Sequence, residues 1–258
     1  MRTVQKLVAF LFCLSFFSCQ KEDSDDQTNP ESCKIVKMYL YDFGQLADSL
    51  FNTYTNEKIT RVTLGNYYDI SLTYDGSKIV RRDYIDLSTN TPDGYAIISY
   101  NTDGTINKID EYENNNGQMI IDWTYRFSYT SGKLTKLTLL DDQLQPFEEY
   151  VFTYTGNNIS KTHYIDDPGG TSMDNITLWK YDNLKNAYNS NQQALLSDGV
   201  AMLNMGDYAA FCLSANNVTE ISYDNHTDPV TYTRDAQNNI TEIKLAGTLF
   251  SRNVYECK

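Results

Sequence analysis

Trp123-Thr124-Tyr125-Arg126-Phe127-Ser128-Tyr129-Thr130-Ser131-Gly132-Lys133-Leu134-Thr135-Lys136 is the stretch whose reading decides the fold. Side chains alternate along a strand, so Trp123, Tyr125, Phe127 and Tyr129 share one side. Thr124, Arg126 and Ser128 share the other. One face is an aromatic wall and the other is polar. Ser131-Gly132 is a turn, and Leu134-Thr135-Lys136 opens the returning strand, which makes the stretch a β-hairpin.

The same grammar recurs: alternating apolar residues, a Tyr, a short turn, then Ile or Leu, one spacer, and often Lys or Arg. It appears at Ile70 to Ile79, Ile98 to Lys108 and Phe152 to Lys161. The marker tyrosines Tyr74, Tyr100, Tyr129, Tyr154 and Tyr181 are separated by 26, 29, 25 and 27 residues. A near-constant period of this size marks a repeat architecture. Degenerate copies flank it at Tyr54 to Val62 and Tyr232 to Ile243. Looser links between units are expected at Thr89 to Gly94, Asn114 to Gly117, Asp141 to Pro146 and Asp166 to Gly170. Leaving the aromatic wall wet costs about 25 cal/mol per Å², so the sheet must roll up or be covered. The expectation is an all-β domain: a rolled or barrel-like antiparallel sheet of repeated hairpins over 33–258.

Between Tyr181 and Tyr232 the repeat lapses. Ala194, Leu195, Leu196, Met202, Leu203 and Phe211 favour helix over strand. A helical insertion over 183–212 is expected, broken into short helices by Gly199 and Gly206. It would plug the open end of the sheet or lie on its aromatic face.

The amino terminus gives an address. Arg2 and Lys6 precede an apolar run, Leu7 to Leu14, too short to span a bilayer but suited to a secretory signal over 1–18. Ser18-Cys19 is the lipoprotein cleavage pattern, which makes Cys19 the lipid attachment site. Residues 19–32 read as a disordered tether without apolar content. Its acidic start is similar to the export signal of Bacteroidetes surface lipoproteins. That places the protein at the outer membrane, lipid-anchored and facing the exterior.

Without residues 1–18 the chain carries 19 basic and 34 acidic side chains, a net charge of −15. Such a surface repels phosphate backbones, so nucleic acid is not an expected partner. Cys33, Cys212 and Cys257 remain beside the lipid cysteine. One bridge is expected, Cys33 with Cys257, which would tie first strand to last; Cys212 with Cys257 is the alternative.

Signals for catalysis are sparse. His163 lies in a strand and His226 in a turn, and neither has an evident nucleophile partner. Asp141-Asp142, Glu148-Glu149 and Asp166-Asp167 are adjacent acids, not carboxylates placed across a cleft. Metal-binding and nucleotide-binding motifs are absent from the sequence, so no cofactor and no metal is expected. Asp48-Ser49-Leu50 fits the short acceptor pattern resembling Bacteroidetes O-glycosylation, with Ser49 as acceptor. Aromatics on a β-face stack on sugar rings; Trp123 and Trp179 are the candidates, although both lie on the face expected to be buried.

The tyrosine hairpins resemble the YD-type repeats of large bacterial shells, without that family's stricter Arg and Gly signature. They are more similar to a Bacteroidetes family of surface lipoproteins of unknown function with a porin-like fold. Cys33-Lys34-Ile35, Tyr181 to Tyr188, Leu213 to Thr219 and Val254-Tyr255-Glu256-Cys257 carry that likeness. It implies a rolled antiparallel sheet and supplies no catalytic residues. Ala187 stands where that family has Pro. The expected role is non-catalytic binding of a glycan or an envelope partner; the alternatives are a structural envelope component or a glycan hydrolase.

Overall fold

In a computed structural model the described residues are 33–168, 174–186 and 206–257. By its contacts the chain divides into Cys33–Glu256 and a second unit, Met1–Ser32 with Cys257–Lys258, nearly all of which lies outside the described residues. The signal and tether expected over 1–32 therefore lie outside them too.

Sixteen antiparallel strands form a closed barrel, each beside its neighbour in sequence, with the first beside the last. They are β1 (Cys33–Asp42), β2 (Gln45–Thr55), β3 (Lys58–Leu64), β4 (Tyr68–Asp75), β5 (Lys78–Asp86), β6 (Thr91–Tyr100), β7 (Ile106–Asn115) and β8 (Gln118–Thr130). Then come β9 (Lys133–Leu140), β10 (Pro146–Thr155), β11 (Asn158–Asp166), β12 (Asp174–Lys185), β13 (Asn216–Tyr223), β14 (His226–Arg234), β15 (Ile240–Leu245) and β16 (Thr248–Cys257). The one helix among the described residues, α1 (Gly206–Leu213), lies between β12 and β13.

The predicted alternation is obeyed. Tyr125 and Phe127 are buried inside the barrel, with Ile109, Leu137, Leu139 and Trp179. Positions between them face outward and carry charge. Arg61 pairs there with Asp69, Lys108 with Asp110, Lys136 with Glu149, and Arg252 with Glu242.

The repeat has a mechanical meaning. Between neighbouring hairpins the ladder stops short of one rim: β3 and β4 pair no further than Arg61 with Ser71, β5 and β6 no further than Arg81 with Ile97. Two residues before that last rung sits the Ile of the motif, and three after it, on the facing strand, sits the Tyr. The tyrosine hydroxyl crosses the gap and donates to the isoleucine carbonyl: Tyr74 to Ile59 at 2.7 Å, Tyr100 to Ile79 at 2.7 Å. Tyr154 reaches Leu134, Tyr181 reaches Ile159, and Tyr232 reaches Val218 in the same way. Tyr129 bonds the Ile106 backbone, Tyr54 reaches Ile35, and Tyr255 reaches Ile240, so the latch runs round the whole rim. A β-bulge beside the latch tyrosines of β2, β4, β6, β8, β10 and β12 turns each strand there. Lysines from the preceding hairpin lie over several of these rings, Lys58 over Tyr74 and Lys133 over Tyr154 among them.

Three expectations are corrected. Thr89 to Gly94 is not a loose link, because β6 already begins at Thr91. Asn114 to Gly117 is no loose link either: β7 and β8 are joined by Asn116 and Gly117 alone, both at positive φ. Both connections are short because the pairing runs up to the turn, Asp86 with Thr91 and Asn115 with Gln118. The insertion starts later than residue 183, since β12 continues through Lys185, and Gly206 stands at the start of a short helix. The stretch 187–205 lies outside the described residues.

Candidate functional site

The helix α1 is set into the barrel from the latched rim. Asn186 Nδ2 donates to the carbonyls of Phe211 and Ser214. Ser214 Oγ donates to the Tyr181 hydroxyl at 2.8 Å and accepts from the Ile159 amide at 3.1 Å. Asn217 is bonded to the Asp182 carboxylate. These bonds satisfy the end of the helix and point Phe211 inward, 6.0 Å from the Trp179 ring and 6.3 Å from the Phe250 ring.

Beyond Phe211, toward the other rim, lies a cavity of about 440 Å³. Its wall holds five aromatic rings, those of Tyr150, Tyr164, Phe211, Tyr223 and Phe250. Thr162, Asn175, Thr177 and Asp224 supply polar atoms, and the remainder is aliphatic. This is the size and lining of a site for a small apolar molecule.

Carboxylates stand behind the tyrosines. Glu148 is opposite Asp166 on the inner face and is hydrogen-bonded to Tyr164, with the Tyr150 hydroxyl 3.4 Å away. Burial pushes the Glu148 carboxyl above the usual carboxylate range. Burial, then the Glu148 and Asp166 charges, push Tyr164 up to about 12. Across the cavity the Tyr223 hydroxyl donates to Asp228 Oδ2 at 2.9 Å, and the other Asp228 oxygen lies 2.7 Å from His226 Nε2. The sequence reading has His226 solvated in a turn. The structure keeps its ring largely exposed but ties it to a buried Asp228. A His held by Asp resembles a general base, yet the hydroxyl beside it, that of Tyr223, is already committed to Asp228.

A separate polar network crosses the interior on β5 and β7. Arg82 is fully buried, its Nη2 donates to Glu111 Oε1, and the Tyr84 hydroxyl donates to Glu111 Oε2 at 2.9 Å. No motif announces it, because Arg82 occupies an inward position that the hairpin grammar assigns to an apolar residue.

The other candidates from sequence are dispersed. Trp179 is buried and its indole N–H donates to Thr162 Oγ1 at 3.0 Å. Trp123 packs on Phe147, ring centroids 4.7 Å apart, inside the barrel. Neither ring forms an outer stacking platform. Ser49 lies inside β2, half-buried, with its carbonyl taken by the Gly65 amide. His163 is on the outer face between Val151 and Ile176. Cys33 and Cys257 each stand in a disulfide and Cys212 is a free thiol, which removes the Cys212–Cys257 alternative. Burial pushes the Cys212 thiol up to about 12, so it is inert at neutral pH. Among the described residues no group of acids, histidines and cysteines is placed to hold a metal ion. Cys19 lies outside the described residues.

The rim nearer the cavity differs in chemistry from the latched rim. Phe43, at the β1–β2 turn, is 91% exposed, and Tyr67 and Leu144 stand exposed on the β3–β4 and β9–β10 turns of the same rim. Phe43 and Leu144 hold positive φ, where Gly or Asn is usual.

No family model and no curated protein matches the chain. Among solved structures it is similar to a porin-like protein from Bacteroides uniformis, with a TM-score of 0.55 and 12% identity over 89% of this chain and 99% of that one. A structure described as TcdB2-TccC3-TEV matches 80% of this chain and 10% of that chain at 14% identity and a TM-score of 0.32. The porin-like likeness agrees with the closed antiparallel barrel and speaks for the fold.

Proposed function

We propose that this chain is a lipid-anchored, non-catalytic binding protein of the outer membrane that receives a small, largely apolar ligand in the end of its barrel. The observation that carries the reading is the cavity of about 440 Å³ walled by five aromatic rings. The anchor is supported by Arg2, Lys6, the apolar run after them and Ser18-Cys19. Exterior display is supported by the acidic tether. Attachment through lipid, in place of a membrane-spanning barrel, is the reading that the faces support. Spanning strands put apolar residues outward and polar ones inward. Here the outer face carries Arg61, Lys108, Arg126 and Lys136, while the wall inside is aromatic.

A second reading is favoured by the exposed apolar turns Phe43, Tyr67 and Leu144: an envelope protein docks on the rim nearer the cavity. A glycan fits less well, because Trp123 and Trp179 are turned inward.

Displacement of a polarity-sensitive fluorophore from the mature chain tests the cavity. Phe211→Trp, which fills part of it, should weaken fluorophore binding, whereas Phe43→Ser should not. Binding untouched by Phe211→Trp would refute the cavity reading, and loss with Phe43→Ser would support docking at the rim. Cys19→Ala should release the protein from membranes; unchanged retention would remove the anchor.

A further inference from the structure

The cavity wall has a sign. Among the described residues, none of the side chains that line it is Lys, Arg or His, while Asp224 lies in it directly. Two of its three tyrosines present oxygen rather than hydrogen. The Tyr223 hydroxyl donates to Asp228, and Tyr164 is hydrogen-bonded to Glu148. Their protons are spent on carboxylates, so the polar part of the wall is rich in acceptors. Five aromatic rings add negative π-faces. Glu148 and Asp166 face one another across one β-pair without a lysine or arginine between them in register.

An anionic head group placed here would meet carboxylates and lone pairs. A neutral polar head would lose water and find few donors. A positive head would find charge partners and ring faces together, the combination that recognises ammonium groups. The chain's net negative charge would also steer a cation toward it.

We propose that the cavity binds an amphiphilic cation, an apolar chain or ring system bearing an amine or quaternary ammonium head. This deepens the cavity reading above and rests on it. The head lies among Asp224, Glu148 and the rings of Tyr164 and Tyr223. The apolar part runs along Ile243 and Leu245 toward Phe211. Glu148, which burial disfavours as an anion, gains a counter-charge when the site fills.

Three probes of one chain length separate the two claims: octyltrimethylammonium, octan-1-ol and octanoate, titrated into the mature chain by calorimetry, with Trp179 emission as a second signal. The expected order is ammonium tightest, by about tenfold over the alcohol, with octanoate weakest. Glu148→Gln with Asp224→Asn should bring the ammonium close to the alcohol and leave the alcohol unchanged, with an unaltered circular dichroism spectrum as the check on folding. Should that spectrum change, raised salt applied to the unmodified chain is the substitute, and it should weaken the ammonium alone. If the alcohol or octanoate binds as tightly as the ammonium, the cavity reading stands and the charge assignment falls. An ammonium preference that survives the double substitution and salt overturns the assignment too. If none of the three binds, the cavity reading itself falls.

Discussion

The rim latches make a quantitative prediction, because Tyr→Phe removes the hydroxyl and leaves the ring in place. In Tyr154→Phe the apolar surface stays buried, so the transfer contribution is unchanged. What is lost is one hydrogen bond, 2.9 Å long, to the Leu134 carbonyl. That carbonyl lies beyond the last rung between β9 and β10, Lys136 with Val151, so that ladder offers no replacement. A hydrogen bond contributes about 1 kcal/mol net, and an orphaned acceptor raises the loss to about 1–3 kcal/mol. The expected destabilisation is therefore about 1–2 kcal/mol. Tyr181→Phe should cost more. Its hydroxyl donates to Ile159 at 2.6 Å and also accepts from Ser214 Oγ, the group that seats α1. A loss of about 2–3 kcal/mol is expected there. Tyr67→Phe, at an exposed turn, is the control and should stay within about 0.5 kcal/mol. The measurement is urea unfolding of the mature chain, disulfide intact, with common slopes among the variants. If Tyr154→Phe is as mild as Tyr67→Phe, the latch is an ornament of the rim and the account of the repeat is wrong. If Tyr181→Phe costs no more than Tyr154→Phe, the coupling of helix to rim is wrong.

Three further outcomes are expected. Gly94→Ala should destabilise the barrel by about 3 kcal/mol or more, since a Cβ there would sit 2.1 Å from the Tyr112 carbonyl oxygen, which is backbone and cannot swing aside; a near-neutral melting temperature would refute the close approach of β6 to β7. Stability should fall in alkali: burial raises the latch tyrosines, to about 12 for Tyr100, Tyr154 and Tyr255. Such groups favour the folded state fully below pH of about 10 and lose that contribution as pH climbs through the folded value. Tyrosinate absorbance should therefore lag behind free tyrosine and then appear together with unfolding; early, uncoupled ionisation would count against burial. Arg82→Met should cost about 3–5 kcal/mol by stranding Glu111 in the interior, and Arg82→Met with Glu111→Leu should recover most of it; no recovery in the double variant would show that the pair is not a unit.

The barrel was legible because its repeat is periodic at two scales. Alternation within Trp123 to Tyr129 gives the inward face, and the spacing of Tyr74, Tyr100, Tyr129, Tyr154 and Tyr181 gives the hairpins. The latch was half legible. Tyr, turn, Ile, spacer and Lys are all in the pattern, but the Tyr bonds the Ile of the preceding hairpin, a cross-strand relation that a linear motif does not express. Tyr255 escaped for the same reason, because its partner Ile240 belongs to a degenerate copy and lies across the β15–β16 pair. The cavity was not legible. Its wall comes from seven strands and a helix, and Glu148 and Asp166, behind its tyrosines, look like any surface pair until the register sets them opposite one another on the inner face.

The comparison with a membrane barrel bears on how such a fold is used. A spanning barrel spends its outer face on lipid and keeps its lumen polar. This chain has the two faces exchanged. The outer row of Arg61–Asp69, Lys108–Asp110 and Lys136–Glu149 pairs is suited to water, and the apolar face is free to fill the lumen. A filled lumen closes a barrel to transport, and where the filling is incomplete it leaves a pocket. The place where it is incomplete is set by the repeat itself. Where the hairpins run without interruption, Tyr125, Phe127 and Leu137 belong to the buried cluster that fills the interior. Where the repeat lapses after Tyr181, the wall behind β10 to β16 is filled by Phe211 from α1, and the cavity lies beyond that ring. The lapse that marks the helical insertion in the sequence is thus also what positions the site, and Phe211, the residue that reaches from one to the other, sets how much of the lumen remains for a ligand.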